Sequence, residues 1–285
     1  MSKSSSSSCF HAIISRAART AMTPTGLDGG LQLMAYTGPV AAQIVLKLAE
    51  ARAKHPHLQK VVKSDTGRLT ELAGGLLRGS GNISEARVIM RSFGLLPMLD
   101  WLLRLHPNPL KSLVNFFIHP SLSNLDLRND KVYQTLRVIL LSIFYVGEHS
   151  VWLGTRRILN LTPEQLSTIS KVSIRSWAID ICMSAVKLVG AYRRLMARKA
   201  ALQAQGEVGE EEGYSLTEKK ADTEEANKLE AEIATWKRTA LVNFAWIPLT
   251  LHWSFGGLWE NPLITSAIGT IVSLGKLNIA WESVA

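Results

Sequence analysis

Between the basic pair Lys237-Arg238 and Glu260 the chain runs for twenty-one residues, Thr239 to Trp259, without Lys, Arg, Asp or Glu. At the helical rise of ~1.5 Å per residue, such a run can cross a hydrocarbon core of ~30 Å. Pro248 and Gly256-Gly257 would break an isolated soluble helix, but inside a membrane neighbouring helices satisfy the freed backbone groups. Glu260-Asn261-Pro262 predicts a turn, with Asn261 as cap and Pro262 opening a last helix. That helix is uncharged as far as Lys276, which lies near enough to its end to snorkel toward water. Gly269 and Gly275 allow close helix contact. Together the two segments read as a membrane hairpin carrying Trp246, Pro248, Trp253, Gly269 and Gly275, with both ends on the side of Lys237-Arg238. A buried soluble hairpin is the competing reading.

Upstream, strand patterns are nearly absent and helical spacing continues. The expected fold is all-α, a membrane-associated bundle of amphipathic helices with a carboxy-terminal membrane helical hairpin. Four regions are expected: a disordered tail over 1–27, an amphipathic helical region over 28–205, an acidic linker over 206–222 and the hairpin region over 223–285. A first helix is predicted to open at Pro39 and end at Pro56, with Val40, Ile44, Val45 and Leu48 on its apolar face. A second, over about 58–77, is expected to stop at Gly79, and a third to begin near Ser84 and kink at Pro97. Asp130 is a cap for a helix to about Leu153, whose uncharged centre, 138–147, is too short to span a bilayer. Thr162-Pro163-Glu164-Gln165 is a capping box with Pro in the first helical position. The helix it opens carries the seam Ile174, Ala178, Ile181, Ala185, Leu188, Tyr192, Leu195, a packing face toward another helix.

Charge separates along the chain. Net charge is +9, yet residues 206–232 hold ten acids against three lysines, so that segment is −7 and the remainder +16. A basic body attracts anionic lipid head groups or nucleic acid, and no base-reading module is present, so nucleic acid is not an expected partner. Six of the eight Trp lie between 150 and 260, which suits either the water–lipid boundary or a Trp-rich core. Cys9 and Cys182 form neither a disulfide framework nor a metal spacing. The acid-free, Ser-rich stretch 1–27 has the composition of a mitochondrial presequence, with disorder the preferred reading.

No phosphate-binding loop, nucleophile elbow or metalloprotease motif is present, so no catalytic residue, cofactor or metal is expected. His55-Pro56-His57 reads as surface punctuation. Glu148-His149 reads as a polar contact between helices, with Trp152, Ile181 and Leu188 as further packing positions.

Three stretches, in order, resemble the peroxin-11 family of peroxisomal membrane-elongation proteins. They are Glu85-Ala86-Arg87-Val88-Ile89-Met90-Arg91-Ser92-Phe93-Gly94, then Phe144 to Gly154, then Leu241 to Leu249 with the glycine-containing hairpin to Trp281. The stretch around Gly67–Gly81 departs from the better-known members and suggests a divergent paralogue. The resemblance implies a peroxisomal integral membrane protein with linker and termini in the cytosol. It would bend the membrane by amphipathic insertion, associate with itself and with paralogues, and pass the elongated membrane to division machinery. On this reading Val40, Ile44, Val45, Leu48 and Phe93 enter the acyl region while Arg87 and Arg91 hold anionic head groups. The alternative for these helices is a bundle in which their apolar faces are already occupied. Two further readings are a pore lined by Glu148, His149, Arg175 and Asp180, and a mitochondrial protein cleaved near Met22.

Overall fold

The computed structural model describes residues 3–55, 65–118, 127–212 and 216–284, in backbone only at 3–8, 113, 115–117, 206–212 and 216–222. Nine helices account for nearly all of them: α1 Lys3–Met22, α2 Pro24–Lys54, α3 Thr66–Ser92, α4 Leu95–Leu105, α5 Pro109–Ile118, α6 Asp130–Thr155, α7 Pro163–Glu212, α8 Leu216–Ser254 and α9 Pro262–Ser283. No strand occurs among the described residues.

Several punctuation signals act where the sequence places them. Thr162 and Gln165 cap reciprocally, the Gln165 Oε1 accepting from Thr162 N at 2.9 Å and the Thr162 Oγ1 from Gln165 N at 3.3 Å. Asn261 accepts from Leu263 N at 3.0 Å, with Pro262 opening α9. At α6 the cap is Asn129, one residue before the expected Asp130, and its side chain accepts from Lys131 N and Val132 N.

Other expectations are corrected. The tail is not disordered from residue 3, because α1 is a helix whose Arg16 donates to the Trp281 carbonyl at 3.1 and 2.9 Å and lies 4.5 Å over the Trp281 ring. Pro39 lies inside α2, which begins instead at Thr23-Pro24, where the Thr23 hydroxyl accepts from Gly26 N at 3.0 Å. The helix tolerates the missing N–H of Pro39 because α3 and α9 clasp it on both sides. Gly79 does not stop α3 either. The contact between α2 and α3 is built from small residues, with Ser80 seated against Gly38 and Ala35, Ala42 and Ala73 buried. The chain breaks at Phe93-Gly94 rather than at Pro97, which sits in the first turn of α4, where no intrahelical N–H bond is lost. The acidic stretch is helical to Glu212 and again from Leu216, as its Glu, Ala and Lys content favours. The expected stop at Pro56 and the start near 58 lie outside the described residues.

Six helices close a ring, each touching the next in the order α2, α3, α6, α7, α8, α9 and back to α2. The seam on α7 faces α8. Ala178, Ile181 and Ala185 are buried, Tyr192 packs on Trp236 at 4.7 Å, and the Trp236 indole donates to the Leu188 carbonyl at 2.9 Å. The apolar core gathers Ile181, Trp246, Leu249 and Val272, with Trp177 and Trp253 against it. Gly269 lets α9 approach the Tyr36 ring of α2, and Gly275 lets it approach Val242 of α8. Beyond the ring, α7 and α8 continue together as a two-helix arm, tied by Arg198–Glu232 at 2.7 Å and Lys199–Glu230 at 2.6 Å.

Candidate functional site: an ion-paired centre under an apolar exterior

Asp28 is the only charged residue between Arg19 and Lys47, and Lys276 the only one between Glu260 and Glu282. A lone charge on an apolar helix is expensive to bury unless it meets its opposite. These two meet: the Lys276 ammonium donates to the Asp28 carboxylate and, at 3.2 Å, to the Gln32 Oε1. Arg87 donates to Asp28 at 2.8 Å and to Gln32 at 3.1 Å. Arg91 makes a two-pronged pair with Glu148 at 2.8 and 2.6 Å, and its guanidinium also lies 4.0 Å from Asp28. Burial pushes the Asp28 carboxyl up, but Lys276 and Arg87 outweigh it and hold the group at about 2.

This geometry corrects the reading of the arginine pair. Arg87 and Arg91 do share one face of a helix, but the face turns inward onto α2 and α6; Arg87 is only 8% exposed. Lys276 likewise turns inward rather than snorkelling outward. Asp28, Gln32 and Lys276 escaped the sequence reading of this site. The available signal was isolation, one charge in a long uncharged helix, which asks for a partner on another helix.

A second ion pair joins α6 to α7, the half-buried Arg137 donating to the buried Asp180 at 2.7 and 3.3 Å while its guanidinium faces the rings of Trp101 and Tyr133. Beside Glu148, the His149 ring bridges α6 and α3, Nε2 lying 2.9 Å from the Val88 carbonyl and Nδ1 2.5 Å from that of Tyr145. Glu148, His149, Ile181 and Leu188 therefore all lie at helix contacts. Trp152 is half-buried, and its indole N–H has no partner among the described residues. The four groups expected to line a pore do not share a lumen: Glu148 borders the centre, Asp180 is closed off by Arg137, and Arg175 reaches the Ser254 carbonyl.

Apolar side chains cover the outside. Ile44 is 62% exposed, Phe93 73% and Leu96 68%; Leu48, Leu99 and Leu103 are exposed too, while Val40 and Val45 are half-buried. Among the described residues two helices are long and apolar enough to cross a membrane, α6 and α9. The run Thr239–Trp259 does not form one such helix, because α8 ends at Ser254 and the chain then turns through Gly256 and Gly257 at φ 78° and 114°. Trp246 is buried in the core with Trp253 packed against it, and Pro248 is half-buried. The sequence judged α6 too short because Arg137 and Glu148 interrupt it; both charges are neutralised from neighbouring helices. Only 6% of the most apolar window of α6 is buried.

Charged within and apolar without, the chain is an all-helical, membrane-associated bundle. Its membership is specific. The family model described as Peroxisomal biogenesis factor 11 (PEX11) matches residues 108–281, more than half of the chain, and the chain belongs to that family. No curated protein and no solved structure matches it. The matched span includes the second and third stretches that carried the resemblance, and the stretch around Arg87 and Arg91 lies before it. Membership makes this a protein of the peroxisomal membrane with a role in peroxisome proliferation and fission, in a family of biogenesis factors.

Proposed function

We propose that this protein is anchored by α6 and α9 and bends the membrane by thickening one end of its bundle. The observation that carries the reading is where the exposed amphipathic helices sit. α4 packs along the amino-terminal half of α6, with Trp101 donating to Gln134 at 3.3 Å and His106 paired with Thr135 at 2.8 Å. α1 packs at the same end, against Trp281 near the end of α9. Both helices turn apolar side chains outward, Phe10, Ile13 and Ile14 from α1 and Leu96, Leu99 and Leu103 from α4. Two such helices in one leaflet push head groups apart there and leave the other leaflet alone, which favours positive curvature.

The same end bears the arm and a basic collar of Arg193, Arg194, Lys237 and Arg238, the bias of a cytosolic side. The arm and both described chain ends then face the cytosol, where division machinery would meet them. Self-association fits the outer face of α6 and α7, where Ser142 and Ser150 lie among Ile143, Val146 and Val172 and permit close helix approach.

The test is liposome tubulation by full-length protein. Leu96→Asp with Leu103→Asp should strongly reduce tubulation while leaving insertion and helix content intact, since both side chains are exposed. Undiminished tubulation by that variant, with loss in Ile44→Asp/Leu48→Asp, would move the wedge to α2 and overturn this assignment.

A further inference from the structure

All six ring helices line one central cavity of about 450 Å³, within the ~300–1,000 Å³ of small-molecule sites. Its charged border is unbalanced. Among the described residues, Arg87, Arg91 and Lys276 face only two carboxylates, Asp28 and Glu148. Glu148 is committed to Arg91 through both oxygens, and the single carboxylate of Asp28 serves all three cations. Behind them Gln32 is fully buried; its Oε1 accepts from Arg87 and Lys276, and its Nε2 has no partner among the described residues. A surplus positive charge on the border of a low-dielectric cavity favours an anion.

The facing wall is aromatic. Phe144 stacks on Trp177 at 4.9 Å, Trp177 meets Trp246 edge-on at 4.6 Å, and Trp253 lies 6.2 Å from Trp177. Such a wall accepts a flat apolar body and offers it no hydrogen bond.

We propose that the central cavity binds a small organic monoanion, its anionic group against Arg91 and Lys276 and its apolar body against Trp177 and Trp253. The ligand supplies the third negative charge that the ring lacks. Because its contacts come from α3 and α9 at one end and α7 and α8 at the other, occupancy fastens the amino-terminal helices to the carboxy-terminal four. A two-chain phospholipid is too large for this space, so the ligand is a single-bodied anion.

The experiment uses full-length protein in neutral detergent micelles, titrated with 1-naphthoate and with its uncharged counterpart 1-naphthamide, read by tryptophan fluorescence and thermal unfolding. Naphthoate should bind at least tenfold more tightly than the amide and raise the melting temperature. Lys276→Gln removes the surplus charge and should abolish the preference, Lys276→Arg should keep it, and Trp253→Leu should weaken both probes together. Equal binding of acid and amide, binding of neither, or an unchanged preference in Lys276→Gln would overturn the proposal. Should Lys276→Gln fail to fold, the acid/amide ratio in the Lys276→Arg and Trp253→Leu proteins decides alone. Displacement of naphthoate by dioctanoyl phosphatidylglycerol at equal concentration would assign the cavity to membrane lipid and equally overturn it.

Discussion

Arg91 offers the sharpest separation between a lipid-binding arginine and a structural one. Its guanidinium reaches Glu148 through two bonds, and the two side chains are 22% and 20% exposed. Removing one partner of a buried, hydrogen-bonded pair costs about 3–5 kcal/mol, because the survivor stays buried and unpaired. Partial exposure places Arg91→Met at the lower end, about 3 kcal/mol. At roughly 2–4 °C per kcal/mol for a domain of this size, that is a fall of about 6–12 °C in melting temperature. Arg91→Glu should be worse, since it sets a third carboxylate beside Glu148 and Asp28. Exchange of the pair, Arg91→Glu with Glu148→Arg, should recover more than half of that loss. Recovery stays incomplete because Asp28 lies 4.0 Å from the Arg91 guanidinium and would then face a carboxylate. The assays are thermal unfolding in detergent by far-ultraviolet circular dichroism and flotation with neutral and anionic vesicles. Any loss of binding should be equal on the two vesicle types and follow the loss of fold. Normal melting combined with loss on anionic vesicles alone would refute the inward-facing assignment.

Two further outcomes follow from packing and titration. A Cβ at Gly269 would lie 2.4 Å from the Tyr36 ring, whereas one at Gly79 meets nothing within 4 Å. Gly269→Ala should therefore destabilise by about 1–3 kcal/mol and Gly79→Ala stabilise by up to about 1 kcal/mol, as denaturant titration would show. The folded Asp28 carboxyl sits at about 2 against an ordinary 3.8, a depressed value, so its stabilisation is complete above pH 3.8 and disappears as pH falls through 2. Asp28→Asn should accordingly be less stable by about 2 kcal/mol at neutral pH, and the difference should shrink progressively between pH 4 and pH 2.

Local chemistry was legible where a few adjacent residues decide the outcome. The Thr162–Gln165 box, the Asn261-Pro262 start and the seam through Ile181 and Leu188 all depend on side chains within one or two turns. The close approaches at Gly269 and Gly275 were legible as possibilities, but their partners Tyr36 and Val242 were not. What local pattern could not give is the direction a mixed face turns. Arg87 and Arg91 suit a membrane surface and a bundle interior equally well until Asp28, 59 residues before Arg87, is brought opposite. Pro39 and Gly79 misled for a related reason: both weaken an isolated helix, and both lie on helices clasped by neighbours. The acidic stretch misled because its composition suits solvated coil and exposed helix alike.

The arm formed by the far halves of α7 and α8 has a mechanical consequence. From Leu188, where Trp236 still binds it, α7 runs on to Glu212, and at ~1.5 Å per residue it stands some tens of ångströms clear of the ring. Such a length acts as a lever: a tilt of a few degrees in the bundle becomes a displacement of several ångströms at the tip. On the proposed topology, the acids gathered toward that tip would be repelled by an anionic bilayer, which would hold the lever upright off the surface. On a flat membrane, levers of neighbouring molecules stand parallel and their like charges crowd. On a positively curved membrane they splay, and the crowding is relieved. On the proposed topology the arm would resist flatness from outside the membrane, by electrostatic pressure between neighbours, a contribution that should fade as salt screens the tips.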